Sequence, residues 1–169
     1  MSQKKVLLVD SISTNRDFKT KEEATIASGQ LLLESGYIEK EYIDSMLEKL
    51  DTQLFATFIG NGVAIPHGMS SGSVHVLHTG VSVIQVPEGV SWGDETAYVV
   101  VGIAANSDEH MNVLSALADA IEDEEDAKKL WQETSVENIF NLLSKIKNLD
   151  ENKFAKITTD ENKVIDDEQ

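Results

Sequence analysis

Apolar positions along this chain recur with two different periods, and each change of period marks an element. Lys5 to Asp10 carries the apolar run Val6 to Val9 and predicts a short buried strand. Ser11 to Lys19 is a polar connection. Thr20-Lys21-Glu22-Glu23 is a capping-box pattern, in which Thr20 accepts from the backbone near Glu23 and Glu23 reaches back. The helix it opens sets Ala24, Ala27 and Leu31 on one side, with Ile26 and Leu33 nearby, and ends at Gly36. Tyr42, Ile43, Met46, Leu47 and Leu50 recur at helical spacing and predict a second helix from Glu39 to about Leu50. Asp51 to Ile59 holds Leu54, Phe55 and Phe58 without a clean period and reads as loop.

The period then shortens. Val63-Ala64-Ile65 is a brief strand ended by Pro66, which has no N–H for a sheet ladder and turns the preceding residue away from helix. Met69 to Ser73 is a loop, and Val74 to Leu77 begins a strand. Thr79-Gly80 interrupts it, and Val81 to Val86 continues with strong β preference. Pro87-Glu88-Gly89 is a turn signal, and Val90 to Asp94 extends that loop. Ala97 to Ala105 is almost uninterruptedly apolar, as befits a central strand covered on both faces.

Asn106-Ser107-Asp108-Glu109 announces a helix over 107–121, with a capping residue and acids in its first turn. His110, Leu114, Leu117 and Ile121 share one face of it. Burying each of those aliphatics is worth about 1.5–3 kcal/mol, so that face points at the sheet. A further helix runs from Asp123 to about Gln132 with Ala127, Leu130 and Trp131 inward. Thr134-Ser135-Val136-Glu137 is a second capping box ahead of Val136, Ile139, Phe140, Leu143 and Ile146. Strands alternating with helices predict one α/β domain over residues 1–148 with helices on both faces of its sheet. Residues 149–169 are charged and nearly without core positions, and read as an acidic, mobile tail.

Composition narrows the setting. The formal net charge is −16 and Arg16 is the only arginine, which excludes nucleic acid and anionic membrane surfaces as natural partners. No cysteine is present, so there is no disulfide, thiol nucleophile or thiolate metal site. No stretch approaches the roughly 20 apolar residues of a membrane span. A soluble, cytoplasmic protein without membrane insertion is expected.

Candidate chemistry rests on the four histidines. His75 and His78 lie three apart in a predicted strand, on opposite faces, and form a poor chelate. His67 follows the strand ended by Pro66 and abuts Gly68, and His110 opens the helix after the central strand. Ligands of open α/β sheets gather at strand ends, so neighbouring strands would bring both imidazoles to one shallow site. A neutral imidazole is a competent nucleophile, and its ordinary pKa of about 6.5 keeps it mostly neutral near pH 7. There is no Gly-x-Ser-x-Gly elbow and no Gly-Lys-Ser/Thr phosphate loop to compete with it. Phosphoryl transfer needs in-line geometry and donors for three equatorial oxygens. Backbone N–H groups after Pro66 and at the start of the 107–121 helix are candidate donors. The competing chemistry is zinc held by His67, His110 and Asp108 or Glu109, although no His-Glu-x-x-His spacing supports it.

Ala64-Ile65-Pro66-His67-Gly68, with Thr20-Lys21-Glu22-Glu23-Ala24, Gly36-Tyr37-Ile38, Glu41-Tyr42, Met46-Leu47, Thr79-Gly80-Val81, Pro87-Glu88-Gly89-Val90, Gly102-Ile103-Ala104-Ala105 and Glu109-His110, forms an ordered set over roughly residues 5 to 146. That set resembles the enzyme IIA domains of the bacterial sugar phosphotransferase system, mannitol/fructose type. The resemblance implies a mixed, roughly five-stranded sheet flanked by helices on both faces. It implies that His67 accepts a phosphoryl group from the phosphocarrier HPr and passes it to the cysteine of a cognate enzyme IIB, for uptake of a polyol or sugar such as mannitol. It gives His110 the part of stabilising the phosphohistidine, and implies neither metal nor organic cofactor. Family members usually carry an arginine after the Met-Leu of the second helix. Here the chain reads Met46-Leu47-Glu48-Lys49-Leu50, and a lysine is not equivalent to a guanidinium on phosphate. Lys49 is open to two readings, a cation at the site or a solvent-facing helix residue. A stand-alone regulatory module, controlling a partner by its phosphorylation state, is the alternative function.

Overall fold

A computed structural model of the chain describes residues 4–149; the expected tail lies outside them apart from Leu149. Strands β1 (Ile12–Ser13), β2 (Phe58–Gly60), β3 (Val63–Ala64), β4 (Gly80–Trp92) and β5 (Glu95–Ala104) form one sheet in the order β1-β4-β5-β3-β2. The sheet is mixed: β1 on β4 and β3 on β5 are parallel, while β4 with β5 and β2 with β3 are antiparallel. Helices α1 (Lys21–Glu34), α2 (Glu41–Thr52), α3 (Ser107–Ile121), α4 (Glu124–Gln132), α5 (Val136–Leu142) and α6 (Ser144–Lys147) complete the domain.

Alternation along β4 and β5 sorts the core into two layers. Val81, Val83, Val99, Val101 and Ile103 pack with Val113 and Leu117 of α3, Leu130 of α4 and Ile139 of α5. Ile84, Val86 and Val100 point the other way, towards Ala24 of α1 and Leu50 of α2. Both faces are therefore covered, and β5, third of the five strands, is central as its apolar run predicts.

Several local expectations need correcting. Lys5 to Asp10 is not a strand; the edge strand is Ile12–Ser13. Ser11 closes a turn instead, its Oγ donating to Leu8 O (2.9 Å), while Val6 and Leu7 are still buried in the core. Asp51 to Ile59 is not simply loop. Leu54–Thr57 forms a 3₁₀ turn and Phe58–Gly60 becomes β2, joined to β3 by a tight turn with Gly60, Asn61 and Gly62 all at positive φ. Glycine meets that geometry at no steric cost and asparagine at little. Val74 to Leu77 is no strand either. Ser70–His75 is a 3₁₀ helix, and Val76 makes only an isolated bridge to Ile38. Pro87-Glu88-Gly89 does not end its strand; the register shifts between Gln85 and Val90 and β4 runs on to Trp92. A bulge absorbs the proline without closing the ladder.

Helix ends follow their caps. Thr20 Oγ1 accepts from Glu23 N (3.1 Å), whereas Glu23 Oε2 accepts from Lys19 N rather than from Thr20. The second box shifts by one: Ser135, not Thr134, accepts from Asn138 N (3.2 Å). The buried side of α1 is Ala24, Thr25, Ser28, Gly29 and Leu32; of the expected stripe Ala24 is fully buried, while Ala27 and Leu31 pack half-buried against the core. Small polar residues let α1 lie close on the sheet, where Ser82 Oγ donates to Ser28 O (2.9 Å).

Candidate functional site

The residues after β3 keep pairing with the central strand. Ile103 N donates to Pro66 O (2.9 Å), and His67 bridges Ile103 in parallel. His67 is thus carried on the end of the sheet although β3 itself is two residues long. His110 comes from the same end of β5. Asn106 Oδ1 accepts from Glu109 N (3.0 Å) and starts α3, and His110 N donates to Asn106 O (3.0 Å) in its first turn. The two rings meet with centroids 4.5 Å apart at an interplanar angle of 43°. The two histidines singled out in the sequence share one site.

The tautomer of His67 follows from one contact. Its Nδ1 lies 2.7 Å from Ile65 O. A carbonyl oxygen only accepts, so Nδ1 carries the hydrogen and Nε2 keeps a lone pair. His67 is 9% exposed. That burial pushes its pKa down to about 4; the bond to Ile65 opposes the shift, and the charges of His110 and Lys49 reinforce it. His110 is lowered too, by burial first and by Lys49 second. Both imidazoles are neutral near pH 7.

The rings open into a cleft of about 220 Å³, lined also by Tyr42, Lys49, Ser70, Ser73 and Met111. Lys49 is therefore at the site and not a plain solvent-facing residue. The supply of backbone donors is smaller than the sequence suggests. Gly68 N donates to Tyr42 Oη (2.9 Å) and Met69 N to Ser45 Oγ (2.8 Å), so neither amide is left for a bound phosphoryl group. Ser70, Ser73 and Lys49, which line the cleft, are the side chains that carry donors there in their place. Tyr42 was legible as a helix position and as part of the Glu41-Tyr42 piece of the family resemblance, and Ser45 only as a place in the second helix; the signal for Tyr42 is a phenol in a buried stripe, which needs a partner for its hydroxyl.

The other polar clusters stay apart from this pair. Glu109 Oε1 accepts from Asn106 Nδ2 (2.6 Å), which occupies one candidate zinc ligand. His75 pairs through Nδ1 with Glu39 Oε1 (3.0 Å) at the surface. With Glu41 they form the group of metal-ligating side chains that converges among the described residues, to within 4.8 Å. His78 follows the 3₁₀ helix, its N–H donating to Tyr37 O (3.1 Å).

Residues 5–146 match the family model for the phosphoenolpyruvate-dependent sugar phosphotransferase system, EIIA 2. The chain belongs to that family. It is 39% identical over 142 residues to the mannitol-specific phosphotransferase enzyme IIA component of Bacillus subtilis (strain 168), covering 83% of this chain and 98% of that one. The crystal structure of IIA mannitol from Escherichia coli superposes with a TM-score of 0.75 at 38% identity, over 80% of this chain and 97% of that one. Enzyme IIAMTL in its complex with phosphorylated enzyme IIBMTL, also from Escherichia coli, superposes with a TM-score of 0.73 at 37% identity, over 80% of this chain and 94% of that one. As an enzyme IIA, the chain is a phosphotransferase component, and its five-stranded mixed sheet is the one the family resemblance implies. No helix among the described residues is long and apolar enough to cross a membrane.

Proposed function

We propose that this enzyme IIA accepts a phosphoryl group from HPr on Nε2 of His67 and hands it to a cognate enzyme IIB in the cytoplasm, for uptake of mannitol or a related polyol. The observation that carries the reading is the geometry of the His67 ring: hydrogen-bonded through Nδ1 to Ile65 O, so that Nε2 keeps its lone pair, with the His110 ring 4.5 Å away. The step balances without a base. The Nε2 lone pair attacks phosphorus in line with the donor's P–N bond; the new N–P bond forms as the old one breaks. In the second step the thiolate of enzyme IIB attacks the same phosphorus and Nε2 leaves with its electron pair.

Lys49 acts on both sides of this exchange. Its ammonium opposes protonation of His67 beforehand and attracts the anionic phosphoryl group afterwards. His110 takes the electrostatic support of the phosphohistidine, and Ser70 and Ser73 offer hydroxyl donors. The test is incubation with enzyme I, HPr and phosphoenolpyruvate, followed by intact mass and by transfer to the mannitol enzyme IIB. One phosphoryl adduct, absent in His67→Ala and discharged by enzyme IIB, is expected. An adduct that persists in His67→Ala would sink the assignment.

A further inference from the structure

Tyr42 is 2% exposed, and its hydroxyl sits between two backbone groups next to His67. It donates to Ile103 O at 2.9 Å and accepts from Gly68 N at 2.9 Å. Ile103 in turn donates its N–H to Pro66 O and bridges His67. The contacts close a ring: Tyr42 to Gly68, along the chain to His67, across to Ile103, and back to Tyr42. Residue 67 is held on both flanks, by Ile103 through Pro66 and by Tyr42 through Gly68.

A phenyl ring alone would fill the same space. Adding a hydroxyl to a core position costs about 1–3 kcal/mol unless it is paired. Here it is paired twice, which only a neutral phenol can do, because a phenolate has no hydrogen to donate. Burial holds it neutral, with a pKa pushed up to about 12. The ring lies so close to Gly68 that a Cβ there would stand 2.6 Å from Tyr42 Cε1. Ser45 makes the comparable contact one residue further on, at Met69 N.

We propose that Tyr42 is a positioning residue for phosphoryl transfer, its hydroxyl fixing where the His67 ring stands relative to His110. The proposal rests on the reading of His67 as the phosphoryl acceptor. Tyr42 acts through Gly68 and Ile103, without touching the reacting nitrogen. Misplacing a nucleophile by about 1 Å can cost on the order of 10²-fold in rate.

The experiment uses the full chain as Tyr42→Phe and Ser45→Ala, each assayed where circular dichroism shows it folded. Transfer from phosphorylated HPr is followed over a range of donor concentrations. For Tyr42→Phe, kcat is expected to fall about tenfold or more with KM within about twofold, and Ser45→Ala to lose clearly less. A kcat within twofold of the parent, or equal losses in both variants, would overturn the proposal. Long-range ¹H–¹⁵N spectra of the unphosphorylated protein supply a readout independent of turnover. The parent shows His67 as a single Nδ1–H tautomer, and Tyr42→Phe shows mixed or shifted ring signals; parental signals in the variant count against the proposal. Slow exchange of the Gly68 amide is expected in the parent, and exchange at the rate of an unprotected amide overturns the idea whether or not the variant folds. If the parent takes no phosphoryl group at His67, the reading of function fails, whereas the ring spectra and amide exchange still decide whether Tyr42 sets the ring.

Discussion

Replacing His67 by glutamine removes a titrating group while keeping a polar side chain of similar reach. Its effect on stability should depend on pH in a way set by the burial of the ring. The folded pKa is about 4, and the unfolded value is about 6.5. A histidine lowered in the folded state binds its proton first in the unfolded chain. As pH falls below about 6.5, the unfolded state gains protons that the native state refuses, so stability is full above that pH and drains between about 6.5 and 4. From about pH 7 to about pH 4.5 the unfolded chain gains nearly two pK units of protonation free energy, or about 2 kcal/mol net of what the native state recovers. Below about pH 4 both states are protonated and the loss levels off near 3 kcal/mol.

Urea unfolding of the parent and His67→Gln at those two pH values isolates the effect. Carboxylates titrate in both proteins and cancel in the difference; His110, coupled to His67 by charge, cancels only in part, and its lowered pKa acts with the same sign. The stability of the parent relative to His67→Gln should drop by about 2 kcal/mol on acidification, with m-values unchanged. A relative change under about 0.5 kcal/mol would refute the reasoning, because it would mean that the ring ionises as readily folded as unfolded.

Lys49→Met removes the cation that depresses both imidazoles. The ¹⁵N titration midpoints of His67 and His110 should both move upward, and phosphoryl acceptance by His67 should slow by about tenfold for loss of one charge-assisted contact. Gly80→Ala tests packing at the sheet end that carries the site: Gly80 pairs with Ala104, and a Cβ there would stand 2.2 Å from the ring of Tyr37, itself fully buried. Urea melts should show a loss of about 1–3 kcal/mol or more.

The chemistry of this chain was easier to read than its edges. Pro66 and the cap at Asn106 are strong local signals, so the positions of His67 and His110 at element ends follow from sequence. Their meeting does not; it depends on β3 lying parallel beside β5, a long-range pairing that no local pattern encodes. The errors fall where local hydrogen bonding outweighs apolar run length. Ser11 turns back on Leu8 and ends a strand that Val6 to Val9 promises. Val74 and Leu77 look like strand residues yet are 75% and 53% exposed, the first inside a 3₁₀ helix and the second just after it. The bulge in β4 keeps Pro87 inside a strand, where a proline usually marks its end. On α1 the expected side does face the core, through Ala24, Ala27 and Leu31, but the most buried strip also takes in Thr25, Ser28 and Gly29, which apolar periodicity alone does not mark.

The electrostatics of the cleft have a direction in time. Before transfer, the buried His67 ring is a neutral nucleophile beside the half-buried His110 and the fixed charge of Lys49, and burial and charge alike disfavour protonation. In the proposed reaction a dianionic group then arrives at Nε2. The charge that repelled a proton now attracts the phosphoryl oxygens, and the same anion favours protonation of His110. His110 thereby gains a second N–H and becomes the stronger donor to the group it faces. In a site built this way both rings are neutral when His67 must attack, and His110 is cationic when the phosphoryl group must be held. The interaction that stabilises the intermediate is made only after the new bond has formed. Discharge to enzyme IIB removes the anion, His110 loses its proton again, and the cleft returns to its starting charge. In the proposed reaction, the depressed pKa of His67 and the hold on its phosphoryl group draw on the same two features, the burial of the ring and the charge of Lys49.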